Sequence, residues 1–355
     1  MTKHPTSVQL LDDSQPIFMG IDVHKHTWSI TVVHGERRVA RVTLPADITE
    51  LQRWIRRYEG FHIVSVYEAG FCGFHLHYAL EALGIHNIVT PPNKIPTLTG
   101  DKVKTDKLDS LKLATFLAKG LLPAIYIPPK EQLDKRQIIR TREQLKRKRT
   151  RAINQIKALL IQNGISLRSV GVNMRLLEQI RTYNLPTHVK LAIDLFIGQL
   201  ELLDKQMKTL KDAYLATATD EQFGNTYRLL LSTPGIGPLI AAALTYEIGD
   251  WHRFHNEKQV AAFFGLTPSE HSSGAHVYRG RITGQGNPML RAHVVEAAWR
   301  LIKADPVMAA FYGRVTKQTG SRKKAIVAVA RKLVCRLYSM IKHNVGYEIG
   351  VGAPA

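Results

Sequence analysis

The feature that most constrains this chain is a change in its apolar period partway along. Between Ile17 and Leu117 short β-rich runs alternate with amphipathic stretches, whereas beyond Leu133 the period becomes that of long helices. Ile17–Asp22 is a short apolar run, Thr27–Val33 is rich in β-branched residues, and Arg37–Leu44 alternates polar with apolar. Short links between the three predict an antiparallel meander. Ile48, Leu51, Trp54 and Ile55 then mark a helix face. A strand over His62–Tyr67 follows, then a helix over Phe74–Leu83 that stops at Gly84. Asn87–Thr90 is a short strand ended by Pro91 and Pro92, and Asp106–Leu117 is a helix.

That order, β-β-β-α-β-α-β-α, predicts an RNase H-like α/β domain over residues 17–125: a mixed sheet flanked by helices, preceded by an extension at 1–16. Residues 130–218 predict a helical, coiled-coil segment. Leu133–Leu160 is one long helix carrying a basic block, Lys146, Arg147, Lys148, Arg149 and Arg151, with charge all round it. A second helix follows the break at Asn163 and Gly164. In it Val189, Ile193, Phe196, Leu200, Leu203, Met207, Leu210 and Tyr214 recur in steps of four and three. This a/d seam fits two arrangements, an internal hairpin on the earlier helix or a dimerising coiled coil. Residues 226–345 read as a mostly helical domain ending in a basic amphipathic helix, Arg322–His343, and 346–355 as a loose tail.

Charge narrows the function. Lys and Arg number 49 against 29 Asp and Glu, a formal net charge of +20. An excess this large implies a polyanionic partner, and nucleic acid is the commonest. No apolar run approaches the ~20 residues that span a bilayer, so no membrane partner is expected. Met1–Pro16 lacks a secretory apolar core, and two distant cysteines, Cys72 and Cys335, fit a reducing compartment. A cytoplasmic protein that meets DNA or RNA is expected.

Four acids stand out by position. Asp22 ends the first apolar run, where an acid needs a reason. Glu68 ends the strand at His62–Tyr67. Asp106 and Asp109 open a helix three residues apart, on one face. Phosphodiester chemistry needs hard cations beside the entering and leaving oxygens, and clustered carboxylates hold them. Singly, Asp106 also reads as a helix cap and Asp109 as a first-turn acid. In the C-terminal part, Ser232–Leu239 contains Pro-Gly-Ile-Gly, a helix-hairpin-helix-like turn in which Gly235 and Gly237 would let backbone amides approach a phosphate. Ser272-Ser273-Gly274 is, by its chemistry alone, a turn. Arg279, Arg281 and Arg291 follow it as candidate phosphate contacts, and His271 and His276 flank it without forming a readable triad.

Together these motifs resemble the DEDD transposases of insertion sequences, related to Piv-type DNA invertases. Gly-Ile-Asp at 20–22, Tyr-Glu-Ala-Gly around Glu68 and Lys-Thr-Asp-Lys-Leu-Asp at 104–109 carry the first half of the resemblance. Pro-Gly-Ile-Gly, Gly-Leu-Thr-Pro and the following Ser-Gly carry the second. The resemblance implies a RuvC-like first domain in which Asp22, Glu68, Asp106 and Asp109 bind Mg²⁺. It implies that Ser273 is the nucleophile forming a phosphoserine link to DNA, with Ser272 as the neighbouring alternative. It implies a homo-oligomer, dimer or tetramer, whose site combines the carboxylates of one protomer with the serine of another. It further implies a guiding bridge RNA on basic surfaces that include Lys146–Arg151. A RuvC-like junction endonuclease that uses water as nucleophile, or a nucleic-acid scaffold without chemistry, would share most of these residues.

Overall fold

The computed structural model describes residues 11–12, 14–96, 106–167, 172–273 and 276–350, and it divides into two compact units, 1–127 and 128–355.

In the first unit β1 (Ile17–Val23), β2 (Thr27–His34) and β3 (Arg37–Pro45) are followed by α1 (Ile48–Ile55), β4 (Ile63–Glu68), α2 (His75–Ala82), β5 (His86–Thr90) and α3 (Asp106–Ala118). The sheet order is β3-β2-β1-β4-β5. The first three strands pair antiparallel, while β1–β4 and β4–β5 pair parallel. This is the expected mixed sheet, compatible with an RNase H-like α/β fold. Side-chain alternation splits β1 between two cores. Ile17, Met19 and Ile21 join Leu51, Trp54, Leu76 and Leu80 under α1 and α2. Phe18 faces the other way, with Val64 and Val66, under Leu113, Phe116 and Leu117 of α3. Asp47 caps α1 by accepting from the amides of Thr49 and Glu50, and those bonds hold its carboxyl below the usual range.

The second unit runs through α4 (Lys130–Gln162), α5 (Met174–Arg181), α6 (Thr187–Leu215), α7 (Gly224–Leu231), α8 (Pro238–Ile248) and α9 (Glu257–Phe263). It continues with β6 (Pro268–Ser273), β7 (His276–Ile282), α10 (Pro288–Ala304), α11 (Pro306–Thr319) and α12 (Arg322–His343). α4 is 33 residues, ~50 Å long at 1.5 Å per residue. It folds back antiparallel on α6: Arg149 pairs with Asp204 at 2.6 Å, while Ala152, Ile156 and Leu160 share a core with Ile193, Ile197 and Leu200. The α6 seam is therefore satisfied within the chain. Its first turns lean on α4 and on α5, a helix the sequence pattern did not announce.

α8 is buried from Ala241 to Ile248, and α4, α6, α7 and α10 pack around it. Ile139 of α4 belongs to the same core. The lower half of α4 is thus integral to the C-terminal part. No helix of the described residues is long and apolar enough to cross a membrane.

Two features go beyond what the sequence signalled. The C-terminal part is helical except for a β6–β7 hairpin, which Pro-Ser-Glu-His-Ser-Ser, with no β-branched or aromatic residue, did not signal. The stretch after Gly346 is not loose as far as Gly350. The Tyr347 hydroxyl donates to Asp305 Oδ2 at 2.6 Å, its amide donates to Ser232 Oγ at 2.8 Å, and the Arg336 guanidinium donates to the Glu348 carbonyl. Arg336 and Asp305 are buried together, so the tail closes over a charge pair that would otherwise stand half-solvated.

Candidate active site

Asp22 lies on β1 one step beyond Ile21, the last residue paired with β4, and Glu68 one step beyond its partner Tyr67. Parallel neighbours in register point to the same face, so both carboxylates stand at the C-terminal strand ends on the side covered by α3. Adjacent strands lie ~4.8 Å apart, which sets the scale of their separation. On the other side of β1, Ser29 sits opposite Asp22 and Thr31 opposite Gly20.

Gly20 explains how α3 comes so near. A Cβ at this position would stand 2.2 Å from the Ser110 carbonyl oxygen and 2.4 Å from the Ala114 amide. The helix therefore lies against the strand backbone itself. A buried bond between Thr31 Oγ1 and Ser110 Oγ, 2.9 Å, fixes it there. Asp109 precedes Ser110, and Asp106 lies one turn before it on α3. The end of α3 that carries Asp109 therefore packs nearer the end of β1 than its Leu113–Leu117 half, which lies under Phe18. The Asp106 side chain falls outside the described residues; Asp109 is half-buried.

His24 is a residue the motif pattern does not single out. Its Nε2 is 3.1 Å from Asp22 Oδ2, and the Asp22 side chain is 19% exposed. An Asp-x-His on a strand was the available signal.

The donor set is all oxygen, from carboxylates on strand ends and one helix, and it fits a hard divalent cation. Among the described side chains no three His, Cys, Asp or Glu gather into a metal-holding group. Asp22, Glu68 and Asp109 are among those described side chains, and that of Asp106 lies outside them.

The serine lies in the second unit. Ser273 forms the last β6–β7 pair, with His276, and Ser272 pairs with Val277. The side chains of 270–273 and 276–279, Arg279 among them, and residues 274–275 are outside the described set. The hairpin's root is closely packed. A Cβ at Gly286 would meet the Phe263 carbonyl at 2.5 Å and the Gly265 amide at 2.7 Å, so two loops touch backbone to backbone. Arg291 closes the clamp, its Nη1 donating to the carbonyls of Phe264 (3.1 Å) and Gly284 (3.3 Å). Asn287 caps α10 through Oδ1 and donates from Nδ2 to Glu247 Oε2 at 3.3 Å.

Glu247, 2% exposed, also accepts from Arg140 Nε and Nη2 at 2.7 and 3.1 Å, and Arg136 Nε lies 3.3 Å away. Gln132 donates to the Tyr246 carbonyl beside it. Hydrogen bonds and ion pairs thus tie the hairpin root to α4. Sequence did not single out Glu247, which lies more than a hundred positions from its arginine partners, and it gave Asn287, which meets Glu247, no structural role.

The remaining basic candidates divide. Lys146, Arg147, Lys148, Arg151 and Arg281 are exposed. Arg149 is turned inward, to Asp204 and the Val172 carbonyl, and Arg291 is the clamp just described. Gly235 and Gly237 lie in the turn between α7 and α8. Gly235, at φ +93°, is pressed against the Ala297 carbonyl of α10, whereas space beyond Gly237 is open.

Comparison with known proteins shows the family. Residues 19–163 match the DEDD transposase family of IS110, and residues 227–313 match the family described as Transposase IS116/IS110/IS902 family. The chain is 32% identical to the transposase-like protein y4rJ of Sinorhizobium fredii, over 97% of this chain and 96% of that one. It is 24% identical to the transposase for insertion sequence element IS1111A of Coxiella burnetii, over 79% and 78% of the two chains. With the transposase for IS1533 of Leptospira borgpetersenii it shares 23% identity over 92% and 96%. These relatives are DNA strand transferases, and the family implies a divalent metal cation. This chain belongs to the IS110 family of DEDD insertion-sequence transposases.

Proposed function

We propose that the protein is a site-specific recombinase that cuts and rejoins DNA through a covalent phosphoserine link at Ser273. The observation that carries this reading is the placement of Asp22 and Glu68 on adjacent parallel strand ends, with α3 locked over the same face at Gly20. Asp22, Glu68, Asp106 and Asp109 would hold Mg²⁺, which when bound neutralises charge on the scissile phosphate. His24 orients the Asp22 carboxylate.

The Ser273 hydroxyl oxygen attacks phosphorus. The bond from phosphorus to the 3′ oxygen breaks, the departing 3′ oxygen takes up a proton, and the serine proton passes to solvent. A 3′ hydroxyl of a second strand then attacks the phosphoserine and releases the serine with its proton restored. The phosphodiester energy is kept in the ester between the two steps. Arg281, exposed on the same hairpin, supplies positive charge near the reacting strand.

The division of labour follows the domains: carboxylates in 17–125, a helical segment over 130–218, and the serine in 226–345. The protein acts as a homo-oligomer in the cytoplasm. The α6 seam is filled by α4 and α5, yet Leu191, Leu195 and Leu202 form a second apolar stripe, more than half exposed, that a second copy would cover. A bridge RNA binds the exposed cations Lys146, Arg147, Lys148 and Arg151, and the open Gly237 turn contacts DNA phosphate.

Covalent trapping tests the chemistry. Purified protein, Mg²⁺ and co-purifying nucleic acid are mixed with nicked DNA carrying the element junction, then resolved on a denaturing gel. An adduct lost in Ser273→Ala and Asp22→Asn but kept in Ser272→Ala is expected. Cleavage without an adduct, insensitive to Ser273→Ala, would instead establish water as the nucleophile.

A further inference from the structure

An open groove of about 830 Å³ lies between the root of the β6–β7 hairpin and the first half of α12. This volume is in the ~300–1,000 Å³ range of sites that take small organic ligands. Leu266, Val327 and Ile282 give it an apolar floor. Arg281, Lys323, Lys324 and Arg331 rim it, and no acidic residue is among its described lining.

Two features point to the occupant. The first turn of α12 carries Arg322, Lys323 and Lys324 and no acid, the reverse of what a helix N-terminus favours. Ser321 caps that turn by accepting from the Lys324 amide, so the helix's positive end and three cations converge without a counter-charge from their own turn. An anion there relieves a local repulsion. The second feature is the floor. Cations alone would serve a solvated surface, but an apolar floor left open between them gains from a ligand that is anionic along one edge and apolar on another. A nucleotide strand has that character when its bases are unpaired; a duplex shows chiefly its backbone.

We propose that this groove holds an unpaired DNA strand, phosphates on the Arg281–Lys323–Lys324–Arg331 rim and sugar and base faces on the floor. DNA is favoured over RNA by position in a chain whose family transfers DNA strands. Pro268 and Ile282 are the first hairpin pair, and Ser273 and His276 the last. Five residues at ~3.3 Å place that end ~17 Å from the groove, a short stretch of strand. The inference needs only the DNA strand transferase reading and stands whether or not Ser273 is the nucleophile.

The test is anisotropy with the full chain and a fluorescein-labelled oligothymidylate of about 12 nucleotides, without metal, across a salt series. Lys323→Ala with Lys324→Ala is compared with Lys205→Ala with Lys208→Ala, exposed on α6. The groove pair is expected to weaken binding roughly tenfold and to reduce the salt slope by about 1.4, two single-strand phosphate contacts at ~0.7 each. The α6 pair should change it less than about twofold, and a duplex of equal phosphate number should lose less than the single strand. Equal losses from the two pairs, equal losses on duplex, or a loss confined to oligouridylate each overturn the proposal. Adduct formation at saturating DNA is scored separately, so failure of the groove and failure of the serine chemistry remain distinguishable.

Discussion

The carboxylates of the first unit and the hairpin serine of the second are positioned by opposite means. In the first unit the acids are placed by a sheet: register fixes Asp22 beside Glu68, and one missing side chain, at Gly20, admits α3. In the second the serine stands at the end of a hairpin with few apolar residues, and its root is held by polar bonds. Gly286 lets two loops touch, Arg291 bridges their carbonyls, and Asn287 hands the assembly to buried Glu247 and the arginines of α4. Removing one member of a buried ion-pair network leaves the others as uncompensated buried charges.

This contrast can be broken experimentally. The largest effect should come from Glu247→Gln, which leaves Arg136 and Arg140 facing a neutral amide. A loss of about 3–5 kcal/mol is expected in the unfolding of the second unit, with the first unit's transition unmoved in a calorimetric scan. If both transitions fall together, the two units are not independently stabilised and the contrast is wrong.

Gly20→Ala is the reciprocal experiment. Its Cβ meets helix backbone that has no rotamer to move, so α3 must shift at a cost of about 1–3 kcal/mol, seen in the first unit only. Because α3 carries Asp106 and Asp109, adduct formation should fall further than stability does. Stability loss without loss of adduct would show that α3's seat is not what aims the acids.

Tyr347→Phe removes a hydrogen bond to a buried carboxylate. Burial opposes ionisation of Asp305, yet the Tyr347 hydroxyl and the amides of Met308 and Val307 together keep it below the usual range. The variant should lose about 1.5–3 kcal/mol, measured by denaturant midpoint. That contribution is present above the ordinary carboxylate value and fades as pH falls through the lowered folded one. No change would return residues 346–350 to the status of a loose tail.

The smallest effect is also one of pH. Burial foremost, with Lys146 and Arg142 adding to it against Glu143, holds His293 below its ordinary value of 6.5. The unfolded chain therefore takes the proton first. Stability from this site is full above about pH 6.5 and declines below it. His293→Gln should flatten the decline between pH 5 and 7 in the second unit, leaving that of the first unchanged.

Much of the first unit was legible because its signals are local. Period-two runs, Gly84 and the Pro91–Pro92 stop mark elements within a residue or two of those found. An acid at the end of an apolar strand is conspicuous from its immediate neighbours alone. The α12 helix was readable to its end residues, Arg322 and His343, for the same reason. The α6 seam was legible as a seam but not as to its partner, because the same heptad suits an internal hairpin and a second copy.

Other features depend on contacts that lie far away in the sequence. Gly20 is required by the carbonyl of Ser110, Glu247 by arginines of α4, and Gly286 by Phe263. The β6–β7 strands lack the composition that announces a strand, and their root is fixed by bonds beyond them. Residue order was enough to say where the acids, cations and apolar seams lie, and hence which family the chain joins. Which of them meet was settled by the folded chain, since burial and hydrogen bonding act between positions that no local period connects.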